Sequence, residues 1–133
     1  MSIPVELADL QAKTSEYTWA YLLTVRPDAT PHLVSISPQW DGDRLLMSVS
    51  SGTARNSTAG NTVTLCYPPL DHDGYSLIVD GLASPVEAGD GGAVPESKQL
   101  IRFAPSGAVL HRSAAPGFAN SATGCANDCV PID

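Results

Sequence analysis

Hydrophobic and polar residues alternate along most of the chain, which is the spacing typical of β-strands. The alternation covers residues 17–25, 32–40, 45–49, 63–67 and 75–86, and two short apolar runs follow at 100–103 and 108–111. Asp41-Gly42 between two of these runs is a strong hairpin signal, and Gly81 within the longest run indicates a β-bulge. The pattern predicts a mainly β protein, a small antiparallel barrel of six or seven strands.

Helical spacing occurs in two places only. Ser2 is a candidate N-cap with Pro4 in the first turn, and the apolar spacing that follows predicts an N-terminal helix up to about Thr14. A short helical segment is predicted within residues 52–60, after the third strand, and opens near Thr53.

The length of 133 residues fits a single compact domain, and 43% hydrophobic residues are enough to build a core. From residue 113 onward the chain is rich in Ala, Gly, Pro, Ser and Asn, with little to bury. We therefore expect a barrel domain over residues 1–112 and an extended tail over residues 113–133.

The charge balance excludes two classes of partner. Seven Lys and Arg stand against fourteen Asp and Glu, for a net charge of −7. Nucleic acids and anionic membrane surfaces are bound through clusters of cations, which this sequence does not contain. The chain also lacks a long apolar run and a basic, apolar signal peptide, so we expect a cytoplasmic protein that does not enter membranes.

The sequence contains no motif for catalysis by its own side chains. There is no Gly-x-Ser-x-Gly motif, so nothing specific supports a hydrolase, and we expect no catalytic residue. Cys125 and Cys129 are spaced so that both could face one metal ion, but structural zinc usually needs four ligands. The more distant candidates are His32, His72, His111 and Cys66. A surface tail or a redox-labile cysteine pair is the simpler interpretation, and we expect no metal site.

The order and spacing of several segments resemble the pyridoxamine 5′-phosphate oxidase-like flavin-binding split-barrel family. These segments are residues 21–25 with the Pro27-Asp28 turn, 31–36, 40–43, Arg55-Asn56 leading into 63–65, and 103–112. The resemblance covers about residues 5 to 112. It implies a six-stranded antiparallel split β-barrel with one N-terminal helix and a short helix after the third strand. It further implies a homodimer that binds FMN between its subunits and transfers hydride or electrons to a small-molecule redox substrate.

The resemblance also implies where the cofactor binds. Its phosphate would meet the segment after the third strand, and the preceding strand would run along the ring and the ribityl chain. The implied cofactor-binding residues are His32, Ser35, Ser37, Ser50, Ser51, Thr53, Arg55 and Asn56. Gly52 and Thr53 stand where family members carry cations, and Arg55 is the only Arg or Lys nearby in the sequence. We therefore expect weakened phosphate binding, because a hydroxyl group supplies no charge.

Three functions are compatible with this departure from the family pattern. The first is an FMN-dependent oxidoreductase, and the second is a reductase that uses a deazaflavin coenzyme instead. The third is a barrel that has lost tight cofactor binding and acts as a small-ligand or protein-binding module. Haem handling, with His32 or His111 as axial ligand, is a weaker alternative. The substrate and the electron donor are not predicted.

Overall fold

The computed structural model describes residues 2–86 and 98–113. Within them the elements are β1 (Ser2–Pro4), α1 (Leu7–Thr14), β2 (Ala20–Val25), β3 (Pro31–Ile36), β4 (Gln39–Asp41), β5 (Arg44–Ser50), α2 (Ser51–Ser57), β6 (Val63–Tyr67), β7 (Ser76–Pro85) and β8 (Lys98–His111). The strands form one curled antiparallel sheet in the order β3-β2-β6-β7-β8-β5-β4, and β1 pairs with β8. This architecture confirms the predicted mainly β split barrel with two helices. Most of the predicted tail lies outside the described residues.

The structure has eight strands where the resemblance implied six, because β1 and β4 are additional three-residue strands. The alternating run 32–40, predicted as one strand, divides near Pro38: β3 pairs with β2, whereas β4 forms the predicted hairpin with β5. Proline has no backbone N–H to donate to a neighbouring strand. Pro38 is therefore a suitable place for the chain to leave one pairing partner and begin pairing with another.

The N-terminus differs from the sequence prediction. Ser2 does not cap a helix, because Ser2–Pro4 pairs as a strand with residues 109–111 of β8, and the Val5 amide donates to the Ala108 carbonyl oxygen at 2.9 Å. The helix begins at Leu7, and Glu6 at its N-cap makes no side-chain capping bond. Tertiary pairing therefore outweighs the capping signal at Ser2.

The two short strands predicted at 100–103 and 108–111 form the single strand β8. Pro105 lies between the two runs, opposite Gly81, where the register between β7 and β8 shifts. A proline is tolerated at such an irregularity because the regular hydrogen bonding between the two strands is already interrupted there, so no backbone N–H is required.

The predicted bulge at Gly81 is confirmed by this register shift. At Gly81, strand β8 leaves no room for a side chain on β7. A Cβ atom at this position would lie 2.6 Å from Phe103 Cζ and closer still to the Ala104 carbonyl oxygen. Phe103 is fully buried, so neither neighbour has room to move.

One side of the curled sheet forms the core. It is made of buried apolar side chains from β2, β5, β6, β7 and β8, among them Leu22, Leu45, Met47, Leu65, Leu77, Val79, Ile101 and Phe103. Tyr67 belongs to this core, and burial raises the pKa of its hydroxyl to about 12. Residues 32, 34, 36 and 40 form the half-buried side of β3 and β4.

Within the described residues, neither helix has the length and apolar character needed to cross a membrane.

Replacing Gly81 with alanine should lower the free energy of unfolding by about 3 kcal/mol or more, because the added methyl group collides with backbone and with a fixed ring. Gly107→Ala is the matched control, since a Cβ atom there meets nothing within 4 Å. Urea unfolding of both variants measures the difference. Equal stability of the two variants would contradict this account of the bulge.

Candidate functional site

A cavity of about 280 Å³ lies where the β2–β3 hairpin meets helix α2. It is lined by Arg26, Pro27, His32, Ser50, Gly52, Thr53, Arg55 and Asn56. The structure thus brings together five of the eight residues implied by the resemblance: His32, Ser50, Thr53, Arg55 and Asn56. The other three, Ser35, Ser37 and Ser51, are exposed and do not line this cavity.

Helix α2 begins in the cavity wall because Ser50 caps it. The Ser50 side chain accepts a hydrogen bond from the Thr53 amide at 3.2 Å, and its hydroxyl lies 3.1 Å from Thr53 Oγ1. Thr53 is 1% exposed, and its carbonyl oxygen accepts a bond from the Ser57 hydroxyl at 2.7 Å. A lysine or arginine at position 53 would have to bury its charge, which is costly. The buried position of Thr53 is therefore suited to an uncharged side chain.

Arg26 supplies a second cation to the cavity, and it was not among the residues predicted from the sequence. Arg26 begins the turn that joins β2 to β3, and its Nη1 donates to the Pro31 carbonyl oxygen at 2.8 Å. The same turn is closed by Asp28, which accepts bonds from the Thr30 amide at 3.1 Å and the Thr30 hydroxyl at 2.6 Å. These bonds lower the pKa of the Asp28 carboxyl. The sequence predicted a turn at Pro27-Asp28, but only the folded hairpin places Arg26 in the same cavity as Arg55.

The cavity has an excess of positive charge although the chain is acidic. Within residues 2–86 and 98–113, the ion pairs involve Lys13, Arg44 and Arg102, and neither Arg26 nor Arg55. No Asp or Glu lines the cavity. Neither guanidinium group forms an ion pair within the described residues, although the charge of Arg26 helps to lower the pKa of the Asp28 carboxyl. Together the two groups favour an anionic ligand, which they would bind through charge-assisted hydrogen bonds.

A second cavity of about 330 Å³ continues past the first. The two share Arg26, Pro27, Arg55 and Asn56 as common walls, and the second is completed by Val25, Ala29, Ala59 and Asn61. It also has no acidic residue in its lining. A ligand whose charged group lies between the two arginines therefore has space on both sides of that group.

A third cavity, of about 310 Å³, lies between α1 and the β4–β5 hairpin. Leu7, Leu10, Trp40 and Arg44 are among its walls. Arg44 Nη1 is 2.9 Å from an Asp43 carboxylate oxygen, so the cation of this cavity is already neutralised. This groove is therefore less suited to an anion than the Arg26–Arg55 cavity.

The described residues contain no group of three or more metal-ligating side chains. Cys125 and Cys129 lie outside the described residues. Cys66 is half-buried, and desolvation raises the pKa of its thiol. His111 Nδ1 lies 3.2 Å from Ser2 Oγ at the β1–β8 pairing, and His111 does not line the cavity that contains His32.

Comparison with solved structures defines the class of protein. A provisionally named pyridoxamine 5′-phosphate oxidase of Listeria innocua superposes with a TM-score of 0.64 at 17% identity, covering 78% of this chain and 96% of that one. The FAD binding protein of Mycobacterium smegmatis gives 0.61 at 16% identity, covering 80% and 95%. An F420 reductase gives 0.55 at 24% identity, covering 71% and 94%. The fold is the split barrel of the pyridoxamine 5′-phosphate oxidase-like proteins.

Sequence comparison gives nearer relatives. Uncharacterized protein Mb0449c of Mycobacterium bovis and uncharacterized protein MT0457 of Mycobacterium tuberculosis are each 38% identical over 136 residues, covering 95% of this chain and 93% of each relative. No family model matches the chain. The chain belongs to the same protein family as these two mycobacterial proteins, within the split-barrel fold.

Removing the cap of α2 should destabilise the site. Ser50→Ala is expected to lower the free energy of unfolding by about 1 kcal/mol, because it deletes the acceptor for the Thr53 amide. Ser51→Ala changes the adjacent, exposed residue and should stay within about 0.5 kcal/mol of the parent protein. Urea unfolding distinguishes the two variants, and a Ser51 effect as large as the Ser50 effect would contradict the assigned cap.

Proposed function

We propose that this protein binds FMN and acts as a flavin-dependent oxidoreductase on a small-molecule substrate. The observation that carries the proposal is the pair Arg26 and Arg55: both line one cavity that has no Asp or Glu in its lining, and within the described residues neither forms an ion pair. A phosphate group needs this combination of positive charge and N–H donors.

The other walls of the cavity fit the same ligand. Asn56 offers an amide N–H₂, and the hydroxyl groups of Ser50 and Thr53 lie at the start of α2. His32 adds a ring whose Nδ1 is buried without a hydrogen-bond partner. The expected weakening of phosphate binding through Gly52 and Thr53 is therefore offset by Arg26, a cation from the opposite half of the barrel.

When bound, a flavin supplies the hydride or electron transfer, and the protein supplies binding and orientation. At about 280 Å³ the cavity is just below the range of about 300–1,000 Å³ usual for small-molecule sites. It suits the phosphate end of the cofactor. The ring system would then lie along the hairpin, outside this cavity.

We propose that a second copy of the chain covers the outer face of the β2–β3 hairpin. Tyr21, Leu23, Val25 and Leu33 all project from this face and are 37–54% exposed. Leu23 lies directly opposite Leu33, so the apolar side chains form one continuous patch. Ser35 lies opposite Tyr21 on the same face, and in such a homodimer it would reach the interface.

The dimer is tested by a charge placed in the patch. Leu33→Glu should shift the protein from dimer to monomer, because an unpaired carboxylate would be buried at the interface. Leu70→Glu is the matched control, since Leu70 is also exposed but lies in the loop after β6. Analytical ultracentrifugation measures both variants. A monomeric parent protein, or an unchanged Leu33→Glu dimer, would rule out this interface.

A deazaflavin coenzyme is the second candidate, and the second cavity favours it. FMN ends at its phosphate, whereas coenzyme F420 continues past its phosphate as a diester chain. The cavity bounded by Arg26, Arg55, Ala59 and Asn61 provides space beyond the position proposed for the phosphate. The F420 reductase among the structural neighbours is consistent with this alternative.

Removing either arginine should weaken FMN binding. Arg26→Ala and Arg55→Ala are each expected to raise the Kd about tenfold or more, because a charge-assisted hydrogen bond contributes roughly 1.5–3 kcal/mol. Fluorescence titration with FMN, repeated with F420, measures the effect. Arg44→Ala removes an equal charge from the third cavity and should leave the Kd unchanged.

The titration also separates the proposed functions. Tighter binding of F420 than of FMN would favour the deazaflavin-dependent reductase. Failure of both to saturate below about 100 μM, which corresponds to only about 5.5 kcal/mol, would leave the small-ligand or protein-binding module as the better description. An Arg44 effect equal to those of Arg26 and Arg55 would indicate nonspecific attraction of the phosphate.

A further inference from the structure

Two neighbouring side chains of the β2–β3 hairpin have buried polar atoms without hydrogen-bond partners. Thr24 on β2 pairs directly with His32 on β3. Thr24 is 1% exposed, and neither Thr24 Oγ1 nor His32 Nδ1 has a partner. Leaving one buried polar atom unpaired is costly, and two such atoms on paired residues call for a common explanation.

The geometry of the hairpin brings these two groups to the same place. Directly opposite residues of an antiparallel pair project to the same face, with their Cβ atoms roughly 5 Å apart. The other inward residues of β2, Ala20 and Leu22, are apolar and fully buried. Thr24 is thus the one inward residue of β2 that carries a polar group. The structure does not join Thr24 Oγ1 and His32 Nδ1 by a hydrogen bond, and such a bond requires the Thr24 hydroxyl to turn toward the imidazole.

We propose that Thr24 is a positioning residue whose hydroxyl donates to His32 Nδ1 and so keeps the proton of the neutral imidazole on Nε2. In a neutral imidazole one nitrogen donates and the other accepts, and the bond made by one nitrogen decides the role of the other. The reverse arrangement, with Nδ1–H donating to Thr24, would leave the Thr24 hydroxyl proton buried without an acceptor. An unpaired donor is the more costly of the two defects.

The consequence for the site rests on the proposed function. His32 lines the cavity that contains Arg26 and Arg55, and Nδ1 is its buried nitrogen, so Nε2 is the nitrogen available to a ligand. With its proton on Nε2, His32 is an uncharged donor to an anionic oxygen. The other tautomer would present a lone pair to that oxygen and repel it. Thr24 would therefore influence a ligand that it does not touch.

The tautomer is measured directly by long-range ¹H–¹⁵N correlation spectra of the ligand-free protein at pH of about 8.5, where histidine is ordinarily neutral. We expect His32 to carry its proton on Nε2 in the parent protein and to populate both tautomers in Thr24→Val, which has the same shape without the hydroxyl. Thr24→Ser should restore the parent tautomer. His32→Gln assigns the His32 signals, and those of His72 and His111 serve as internal controls.

A parent protein with its proton on Nδ1, or a Thr24→Val variant with an unchanged tautomer, would overturn the proposal. Should Thr24→Val fail to fold, Thr24→Ala removes the same hydroxyl and is judged by the same spectra. A merely structural role for Thr24 would change the chemical shifts of many residues while leaving the His32 tautomer as it was.

FMN titration tests the effect on the site. Thr24→Val should raise the Kd for FMN about tenfold, whereas Thr24→Ser should stay near the parent value. A changed tautomer with an unchanged Kd would refute the positioning role. If FMN does not bind the parent protein at all, the proposed function fails, and the ligand-free spectra still decide whether Thr24 controls the His32 tautomer.

Discussion

The pairing of β8 with three other strands is the constraint on which the rest of the structure depends. Its first part pairs with β5, its last residues pair with β1, and β7 follows it along most of its length. This is possible because Gly81 has no side chain where β7 crosses the Ala104 carbonyl and the Phe103 ring. Since α2 follows β5 directly, closing the sheet through β8 brings α2 against β2 in the other half. The candidate site exists because of that contact.

The electrostatics of the site depend on the same closure. Arg55 belongs to α2 and Arg26 to the β2–β3 turn, so the two cations are almost thirty positions apart in the sequence. In an acidic chain most cations are expected to find carboxylates, as Lys13, Arg44 and Arg102 do. Arg26 forms no such ion pair within the described residues: its guanidinium donates to the Pro31 carbonyl oxygen, while Asp28 accepts bonds from Thr30. The charge of Arg26 still helps to lower the pKa of the Asp28 carboxyl, and the turn holds the guanidinium at the cavity without a direct ion pair.

Strand β2 shows why alternation alone does not identify a core. Both of its faces are largely apolar, yet Tyr21, Leu23 and Val25 are exposed. The opposite face, with Ala20 and Leu22, is buried in the core, and the strand pairs with β6 and contacts α2. A strand with two apolar faces is suited to a sheet that is covered on both sides. This is the physical basis for the proposed homodimer.

The sequence by itself determined the strands, the hairpin at Asp41-Gly42, the bulge at Gly81 and the presence of Arg55 and Asn56 next to the third long strand. These features are local: strand period, turn chemistry and the conformational freedom of glycine act over a few residues. Only the tertiary structure decided that residues 2–4 form a strand, that residues 98–111 are continuous, and that Arg26 joins Arg55. Each of these outcomes depends on a partner distant in the sequence. The free energy gained when a segment pairs with β8, or when α2 packs against β2, depends on residues far apart in the chain and cannot be inferred from a short segment.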